Sequence, residues 1–200
     1  MISVAVISYK YGHLIAQAID SVLSQTRKPD ALVVVDDGAY DCHFVKEKYP
    51  EVELIERPVN LGIVGNKNDI LFNVIKTDKM VMLGADNWLR PDALEKMEKS
   101  GTDIVSSWLY ITGEEAHDTR GACVYNDCGY FRWELPGPHG CSLHDVEKAR
   151  AAGGYKPSGR AKSEEDSVMF SKMIENGSSF SVVAEPLLYY RRHRHNFQKW

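Results

Sequence analysis

The sequence of 200 residues lacks the features that mark several large classes of protein. It has no apolar run near the roughly 20 residues that a membrane-spanning helix needs. Its first residues carry no basic segment and no small-residue cleavage site of a signal peptide. We therefore predict no membrane span and a cytoplasmic location. The formal net charge of -4 shows no basic excess, which argues against a nucleic-acid partner.

Cysteine is also scarce, with 4 residues in the chain, and in a cytosolic protein we expect the thiols to be reduced. Three of them lie with two histidines between positions 123 and 144: Cys123, Cys128, His139, Cys141 and His144. Zinc prefers such ligands, but these spacings match no common zinc module. We favour unbound thiols and keep a structural zinc site as the alternative.

The residues that are present predict an α/β protein. Hydrophobic residues make up 44% and charged residues 26%, as in an ordinary soluble domain, and the length suits one domain. Short apolar runs alternate with amphipathic segments, which predicts βαβ units and a mainly parallel sheet. The predicted strands cover 2–7, 31–35, 52–55, 80–83, 104–110, 180–183 and 187–190, and the predicted helices cover 14–25, 41–49, 63–75, 91–99, 144–152 and 163–176.

One stretch organises the chain: three valines, 33–35, followed by Asp36, Asp37 and Gly38. Three β-branched residues in a row are typical of a strand buried on both faces. In an open parallel sheet, ligands bind beyond the carboxyl ends of the strands. Ser8 and Asp86 follow two other predicted strands and should lie at the same edge. The alternative is a surface turn, since Asp and Gly are common turn residues.

An ordered set of motifs resembles the family 2 glycosyltransferases of the GT-A fold. Each is short, but together they span nearly the whole chain. They are the Ser8 loop after the first strand, 21–26 (SVLSQT), 35–41 (VDDGAYD), 60–62 (NLG), 67–68 (KN), 83–87 (LGADN) with Pro91, 153–155 (GGY), 165–166 (ED), and 190–193 (YRRH) with Asn196.

The resemblance implies a single α/β domain of the Rossmann-like GT-A type over 1–200, with a mixed, mainly parallel central sheet flanked by helices. It implies a nucleotide-sugar-binding half at 1–110 and an acceptor-binding half with a C-terminal tail at 111–200. The implied reaction transfers a sugar, with inversion, from a nucleotide-diphosphate sugar to a hydroxyl of a carbohydrate or glycoconjugate acceptor. The sequence leaves open whether the protein is a homo-oligomer.

The resemblance also implies roles for particular residues. Asp166 is the general base, with Glu165 beside it. Asp86, as the last acid of an Asp-x-Asp motif, holds a divalent cation, and His193 completes the metal or diphosphate site. Manganese accepts an imidazole ligand more readily than magnesium, so we predict Mn²⁺ before Mg²⁺. The implied donor-binding residues are Ser8, Asp36, Asp37, Lys67, Asp86, Arg191 and Arg192.

Three departures from the family pattern support an alternative. Gly84 replaces the first acid of Asp-x-Asp, Asn87 replaces an acid often found after it, and Lys67 stands where an arginine is common. A catalytically weak nucleotide-sugar-binding protein is therefore the second hypothesis. A dinucleotide oxidoreductase is a third, but the first strand lacks the Gly-x-Gly-x-x-Gly turn.

Two site predictions have purely structural alternatives. Asp166 could merely close a capping box with Ser163 at the start of its helix. The basic tail that carries His193 could be a solvated chain end.

Overall fold

A computed structural model describes residues 1–114, the backbone of 125–126, and residues 138–157, 165–194 and 196. Its strands form a single sheet in the order β3-β2-β1-β4-β8-β6-β9-β5, with β7 beside β6. The strands are β1 (Ile2–Ser8), β2 (Ala31–Asp36), β3 (Glu53–Glu56), β4 (Lys79–Gly84), β5 (Trp88–Leu89), β6 (Ile104–Thr112), β7 (Tyr125–Asn126), β8 (Leu143–Asp145) and β9 (Phe180–Arg191).

The helices flank this sheet, and the predicted α/β fold is confirmed. They are α1 (Ile15–Leu23), α2 (Val45–Lys48), α3 (Gly62–Asp69), α4 (Ala93–Lys99), α5 (Val146–Ala151) and α6 (Glu165–Glu175). The helix predicted over 63–75 is α-helical only to Asp69 and continues as a π-helix over Ile70–Val74. None of the helices in the described ranges has both the length and the apolar character needed to cross a membrane.

The first four strands form the parallel half of the sheet. β1 pairs in parallel with both β2 and β4, and β2 pairs in parallel with β3. Because side chains alternate across a strand, each strand contributes side chains to two separate apolar cores, one on each face of the sheet. Val4, Val6 and Val34 belong to one apolar cluster, whereas Ala5 and Val33 belong to the other. Burial on both faces explains why β1, β2 and β4 are nearly continuous apolar runs.

The second half is mixed. β8 is antiparallel to both β4 and β6, β9 is parallel to β6, and β5 is antiparallel to β9. The sequence predicted two late strands, but β9 runs unbroken through Pro186. Proline cannot donate to a sheet ladder and is tolerated at bulges; the pairing register shifts at Trp108, the residue opposite Pro186. His144, predicted to begin a helix, lies in β8, and α5 follows it.

Gly38 illustrates how the sheet edge depends on one backbone conformation. Its φ is +82°, and a Cβ there would lie 2.7 Å from the backbone nitrogen of Asn60 and 2.8 Å from the carbonyl carbon of Val59. Gly101 also has a positive φ, +72°, but a Cβ there would meet nothing within 4 Å. The turn after β2 therefore requires glycine for two reasons, conformation and space.

We expect Gly38→Ala to lower the free energy of unfolding more than the matched control Gly101→Ala. The control carries only the left-handed conformational cost, about 1–2 kcal/mol. Gly38→Ala must also displace backbone, which adds about 1–3 kcal/mol. Urea denaturation of both variants measures the difference. Equal losses of unfolding free energy in the two variants would show that the backbone at Val59 and Asn60 moves to accommodate the Cβ without cost.

Candidate active site

The predicted residues at or just beyond the carboxyl ends of β1, β2 and β4 lie at one edge of the sheet. Ser8 pairs with Asp36 across β1 and β2, and the Asp37 N–H donates to the Ser8 carbonyl at 2.8 Å. Ile7 pairs with Gly84 across β1 and β4. The three strand ends are therefore in register, and the side chains beyond them share the carboxyl edge where ligands of such sheets bind.

Asp36 and Asp37 hold the loops that border this edge. Asp36 is fully buried, and its carboxylate accepts from the N–H groups of Ala39 at 2.8 Å and Asp41 at 3.1 Å. Asp37 accepts from the Leu61 N–H at 2.9 Å. Burial raises the pKa of Asp37, against the opposing effect of the backbone N–H groups of Leu61 and Gly62. Both acids thus stabilise turns, but they are buried and do not form the surface turn of the alternative interpretation. Their contact with a nucleotide stays a prediction.

Asp36 also belongs to a group of acidic and thiol side chains that the sequence did not single out. Ligand atoms of Asp36, Asp41 and Cys42 lie within 4.8 Å of one another in the described part of the chain. Burial raises the pKa of Cys42 to about 12, so its sulfur is a neutral thiol at pH 7. The Cys42 thiol donates to Asp41 at 3.4 Å, and Asp41 accepts from the Gly12 N–H at 2.9 Å. These contacts connect the loops after β1 and β2.

Asp86 lies beneath the C-terminal residues that follow β9. One carboxylate oxygen accepts from the Asn87 side chain at 2.9 Å. The other accepts from the Asn196 amide at 3.1 Å and lies 3.4 Å from Nε2 of His193. Asn196 in turn donates to the Arg191 carbonyl at 3.0 Å and accepts from the His193 N–H at 2.6 Å. Arg191, His193 and Asn196 are thus packed onto the sheet edge and are not part of a solvated chain end, whereas Arg194 is exposed.

The residues around Asp86 fit a divalent cation. Asp86 and His193 offer an oxygen and an imidazole nitrogen, and each side chain is only 12% exposed. Burial raises the pKa of Asp86, against the hydrogen bonds from His193 and Asn196. A buried carboxylate of this kind is stabilised by an adjacent cation. A carboxylate and an imidazole suit Mn²⁺, with phosphate oxygens of a substrate as further ligands.

The two arginines predicted to face the diphosphate differ in their surroundings. The Arg191 guanidinium lies 5.0 Å from the Trp88 ring, donates to the Asp86 carbonyl at 3.2 Å and also donates to Gln17. Arg192 is 3% exposed, and its N–H donates to the Thr112 carbonyl at 2.7 Å. Arg191 therefore lies next to Asp86.

Lys67 joins the two candidate catalytic acids. Its ammonium donates to Glu165 at 2.8 Å and to Asp166 at 2.6 Å. The Lys67 and Glu165 side chains are each 5% exposed, whereas Asp166 is 17% exposed. Burial acts to lower the pKa of Lys67, but the two carboxylates outweigh it and raise that pKa. The sequence placed Lys67 with the donor-binding residues; the structure places its ammonium between the acids at the start of α6.

Two motifs of the sequence analysis meet beside this cluster. Asn68 accepts from the Tyr155 N–H at 2.8 Å and donates to the Tyr155 carbonyl at 2.9 Å. The Lys67 ammonium lies 5.2 Å from the Tyr155 ring. A Cβ at Gly154 would lie 2.5 Å from the Asn68 oxygen, and one at Gly140 would lie 2.6 Å from an oxygen of Asp166. The glycines at 140 and 154 thus allow these segments to approach each other closely.

Only some of the residues that could form the alternative zinc site are among the residues that the structure describes. Cys123 and Cys128 are not among the described residues, nor is Ser163, the predicted capping partner of Asp166. Cys141 and His139 are described: the Cys141 N–H donates to Nδ1 of His139 at 3.2 Å. Nε2 of His139 lies 3.2 Å from the Ser107 carbonyl. Unbound thiols therefore stay the prediction for this stretch, with a zinc site as the untested alternative.

Comparison with known proteins identifies similar chains. The family model described as "Glycosyl transferase family 2" matches residues 3–138. A curated relative, poly(ribitol-phosphate) beta-glucosyltransferase of Bacillus spizizenii, is 28% identical over 100 residues, which is 46% of this chain and 16% of that protein.

Solved structures match nearly the whole chain. TarS 1–349 of S. aureus, in complex with UDP-GlcNAc, has a TM-score of 0.73 and 16% identity, covering 98% of this chain and 59% of that one. The mannosyltransferase PcManGT of Pyrobaculum calidifontis, in complex with GDP-Man and Mn²⁺, has a TM-score of 0.73 and 19% identity, covering 98% and 58%. At these identities the likeness shows a shared fold. The chain spans less than two thirds of the length of each of these three proteins.

Proposed function

The chain belongs to glycosyl transferase family 2 and has the α/β architecture of the GT-A fold, and from this membership we propose that it is a nucleotide-sugar-dependent, inverting glycosyltransferase. The acceptor is a hydroxyl of a carbohydrate or glycoconjugate. The observation that carries the proposal is the Asp86–His193 pair, 3.4 Å apart at the carboxyl edge of the sheet. The nucleotide-sugar complexes of TarS and PcManGT support the donor class.

We assign the donor to the half that contains residues 1–110. Ser8, Asp36 and Asp37 border the sheet edge where we place the nucleoside. Asp86 and His193 would hold Mn²⁺, or else Mg²⁺, and the ion would stabilise the negative charge of the leaving diphosphate. The Mn²⁺ in the PcManGT complex supports this choice of ion. Arg191, next to Asp86, and Arg192 would add positive charge at the same leaving group.

Asp166 is the proposed general base. Inversion requires the acceptor oxygen to attack the anomeric carbon as the bond to the diphosphate breaks. The acceptor O–H proton must go to a base within hydrogen-bond reach. Of the two acids at the start of α6, Asp166 is more exposed, 17% against 5% for Glu165. Asp166 would therefore take the proton, while Glu165 stays buried against Lys67. The residues from 111 onward would form the acceptor-binding half.

The second candidate is a nucleotide-sugar-binding protein with weak catalysis. A Cβ at Gly84 would lie 2.8 Å from an oxygen of Asp86 and 2.9 Å from the Asn87 amide. An acid at position 84 would therefore collide with the observed Asp86–Asn87 contact. The edge is thus built around one carboxylate in place of two, which would weaken metal binding. A measurement of turnover separates the two candidates.

We expect a nucleotide-diphosphate sugar to raise the melting temperature, and Mn²⁺ to increase that rise. A ligand at 100 times its Kd stabilises the folded state by about 2.7 kcal/mol, which corresponds to roughly 5–10 °C for a chain of this size. Thermal-shift scans of nucleotide sugars with Mn²⁺ and with EDTA measure the effect. Mn²⁺ alone and NAD⁺ are the controls. A chain stabilised by NAD⁺ and by none of the nucleotide sugars would contradict the proposal.

A further inference from the structure

The buried cluster of Lys67, Glu165 and Asp166 has an unbalanced charge. Lys67 carries one positive charge and the two acids carry two negative charges, so the ionised cluster has a net charge of -1. Lys67 and Glu165 are each only 5% exposed, so water screens these charges poorly. One buried oxygen of Glu165 has no hydrogen-bond partner among the described residues. Within the described part of the chain, the ammonium therefore compensates one carboxylate and leaves the equivalent of one negative charge uncompensated.

Among the described residues, the titratable groups whose charges interact with Asp166, other than Lys67, do not supply the missing positive charge. Asp166 interacts electrostatically with His139, Cys141, His144 and Tyr155. Burial lowers the pKa of His139 and of His144 to about 4, so both imidazoles are neutral at pH 7. Burial raises the pKa of Cys141 to about 12 and that of Tyr155 well above its usual value, so both keep their protons. These four described neighbours of Asp166 are therefore uncharged at pH 7.

We propose that Lys67 is a positioning residue that controls the base by charge balance. Its ammonium holds Asp166 in place and keeps the two acids ionised together, but it neutralises only one of them. When Asp166 takes the acceptor proton, the cluster changes from a net charge of -1 to a net charge of zero. Uptake of that proton is therefore favoured by the surroundings. This inference rests on the proposed function, because it describes how that reaction obtains its base.

The proposal predicts opposite pH effects for two substitutions. Lys67→Met leaves two adjacent carboxylates with no cation, so one of them holds a proton at higher pH. The acidic limb of the pH–rate profile then moves up by at least about one pH unit. Glu165→Gln leaves a neutral Lys67–Asp166 pair, which takes a proton less readily, so the limb moves down. The double variant restores a net charge of -1, so its limb returns toward that of the wild type.

The pH–rate profiles are measured in the presence of Mn²⁺ with the nucleotide sugar selected by thermal shift. Water is the acceptor, and the rate is the release of nucleoside diphosphate. Lys67→Arg keeps the charge and should retain the wild-type limb. Lys76→Met removes an exposed lysine nine positions further along the chain and should leave the acidic limb unmoved. The proposal would be overturned if Lys67→Met and Glu165→Gln moved the acidic limb in the same direction, or if Lys67→Met did not move it. A raised KM for the donor with an unmoved limb would instead make Lys67 a donor-binding residue.

A second readout does not depend on activity, so failure of the proposed function can be recognised separately. At pH 7, Lys67→Met should lower the melting temperature, because it leaves the buried carboxylate of Glu165 and the partly buried one of Asp166 without a cation. Adding Glu165→Gln to that variant should recover at least half of the loss. If no nucleotide sugar is turned over but this recovery occurs, the charge balance stands and the enzymatic proposal fails. If Glu165→Gln lowers the melting temperature further, the charge-balance proposal is wrong.

Discussion

Asp166→Asn should keep donor affinity and lose nearly all sugar transfer. The amide has the size of the carboxylate and still accepts a hydrogen bond from Lys67, but it cannot take the acceptor proton. General-base catalysis contributes about a hundred- to ten-thousand-fold in rate. Loss of a helix cap costs about 1 kcal/mol of stability and hardly affects the chemistry of the folded fraction. Turnover and melting temperature, measured on the same preparation, distinguish these two roles.

Glu175→Gln is the matched control, because Glu175 is an exposed acid at the last residue of the same helix. It should change neither turnover nor donor affinity. If Asp166→Asn transferred sugar at close to the wild-type rate, Asp166 would have only a structural role in the first turn of α6. Glu165 would not replace it easily, since its side chain is 5% exposed and is held by Lys67.

Asp86→Ala should abolish the Mn²⁺-dependent part of donor binding and leave the fold intact. With glycine at position 84, Asp86 is the one carboxylate of the 84–87 segment, and its oxygens lie against Asn87, Asn196 and His193. Even loss of a group that only supports a metal ligand costs about 10- to 100-fold in affinity, so loss of a ligand should cost at least as much. Calorimetric titration with the selected nucleotide sugar, once in Mn²⁺ and once in EDTA, measures the Mn²⁺-dependent part of the donor affinity.

Exposed Asp78 provides the control for that experiment, since its ion pair with the N-terminal ammonium lies at the surface. Asp78→Ala should leave Mn²⁺-dependent affinity unchanged. Asp86→Ala should also hold its melting temperature within a few degrees, because burial already raises the pKa of that carboxyl and so penalises its charge. An unchanged Mn²⁺-dependent affinity in Asp86→Ala would show that the metal is bound elsewhere or not at all.

The sheet edge could be predicted from the sequence because its signals are local. A run of buried β-branched residues predicts the strand at 31–35, and parallel pairing then places Ser8, Asp36 and Asp86 at one edge. Each of these steps needs only a short stretch of chain. The structure confirms the architecture and the register that follow from them.

The partners of the catalytic candidates could not be predicted in the same way. Lys67 and Glu165 are 98 positions apart in the chain, and a lone lysine in a helix is typically solvated. Its burial depends on the packing of α3, Tyr155 and α6. The continuity of β9 was missed because a proline signals a break in a strand unless it lies at a bulge. The extra residues of β9 between Val183 and Leu188 form such an irregularity. The roles of the site residues, including donor binding by Lys67, stay predictions.

The most direct test of the account is turnover of a nucleotide sugar by the wild-type protein with Mn²⁺. The donor selected by thermal shift is incubated with the protein, and release of nucleoside diphosphate is followed together with the anomeric configuration of the released sugar by NMR. The account predicts Mn²⁺-stimulated release with inverted configuration, absent in Asp166→Asn. Tight donor binding without release would contradict it and would identify a nucleotide-sugar-binding protein of the same fold.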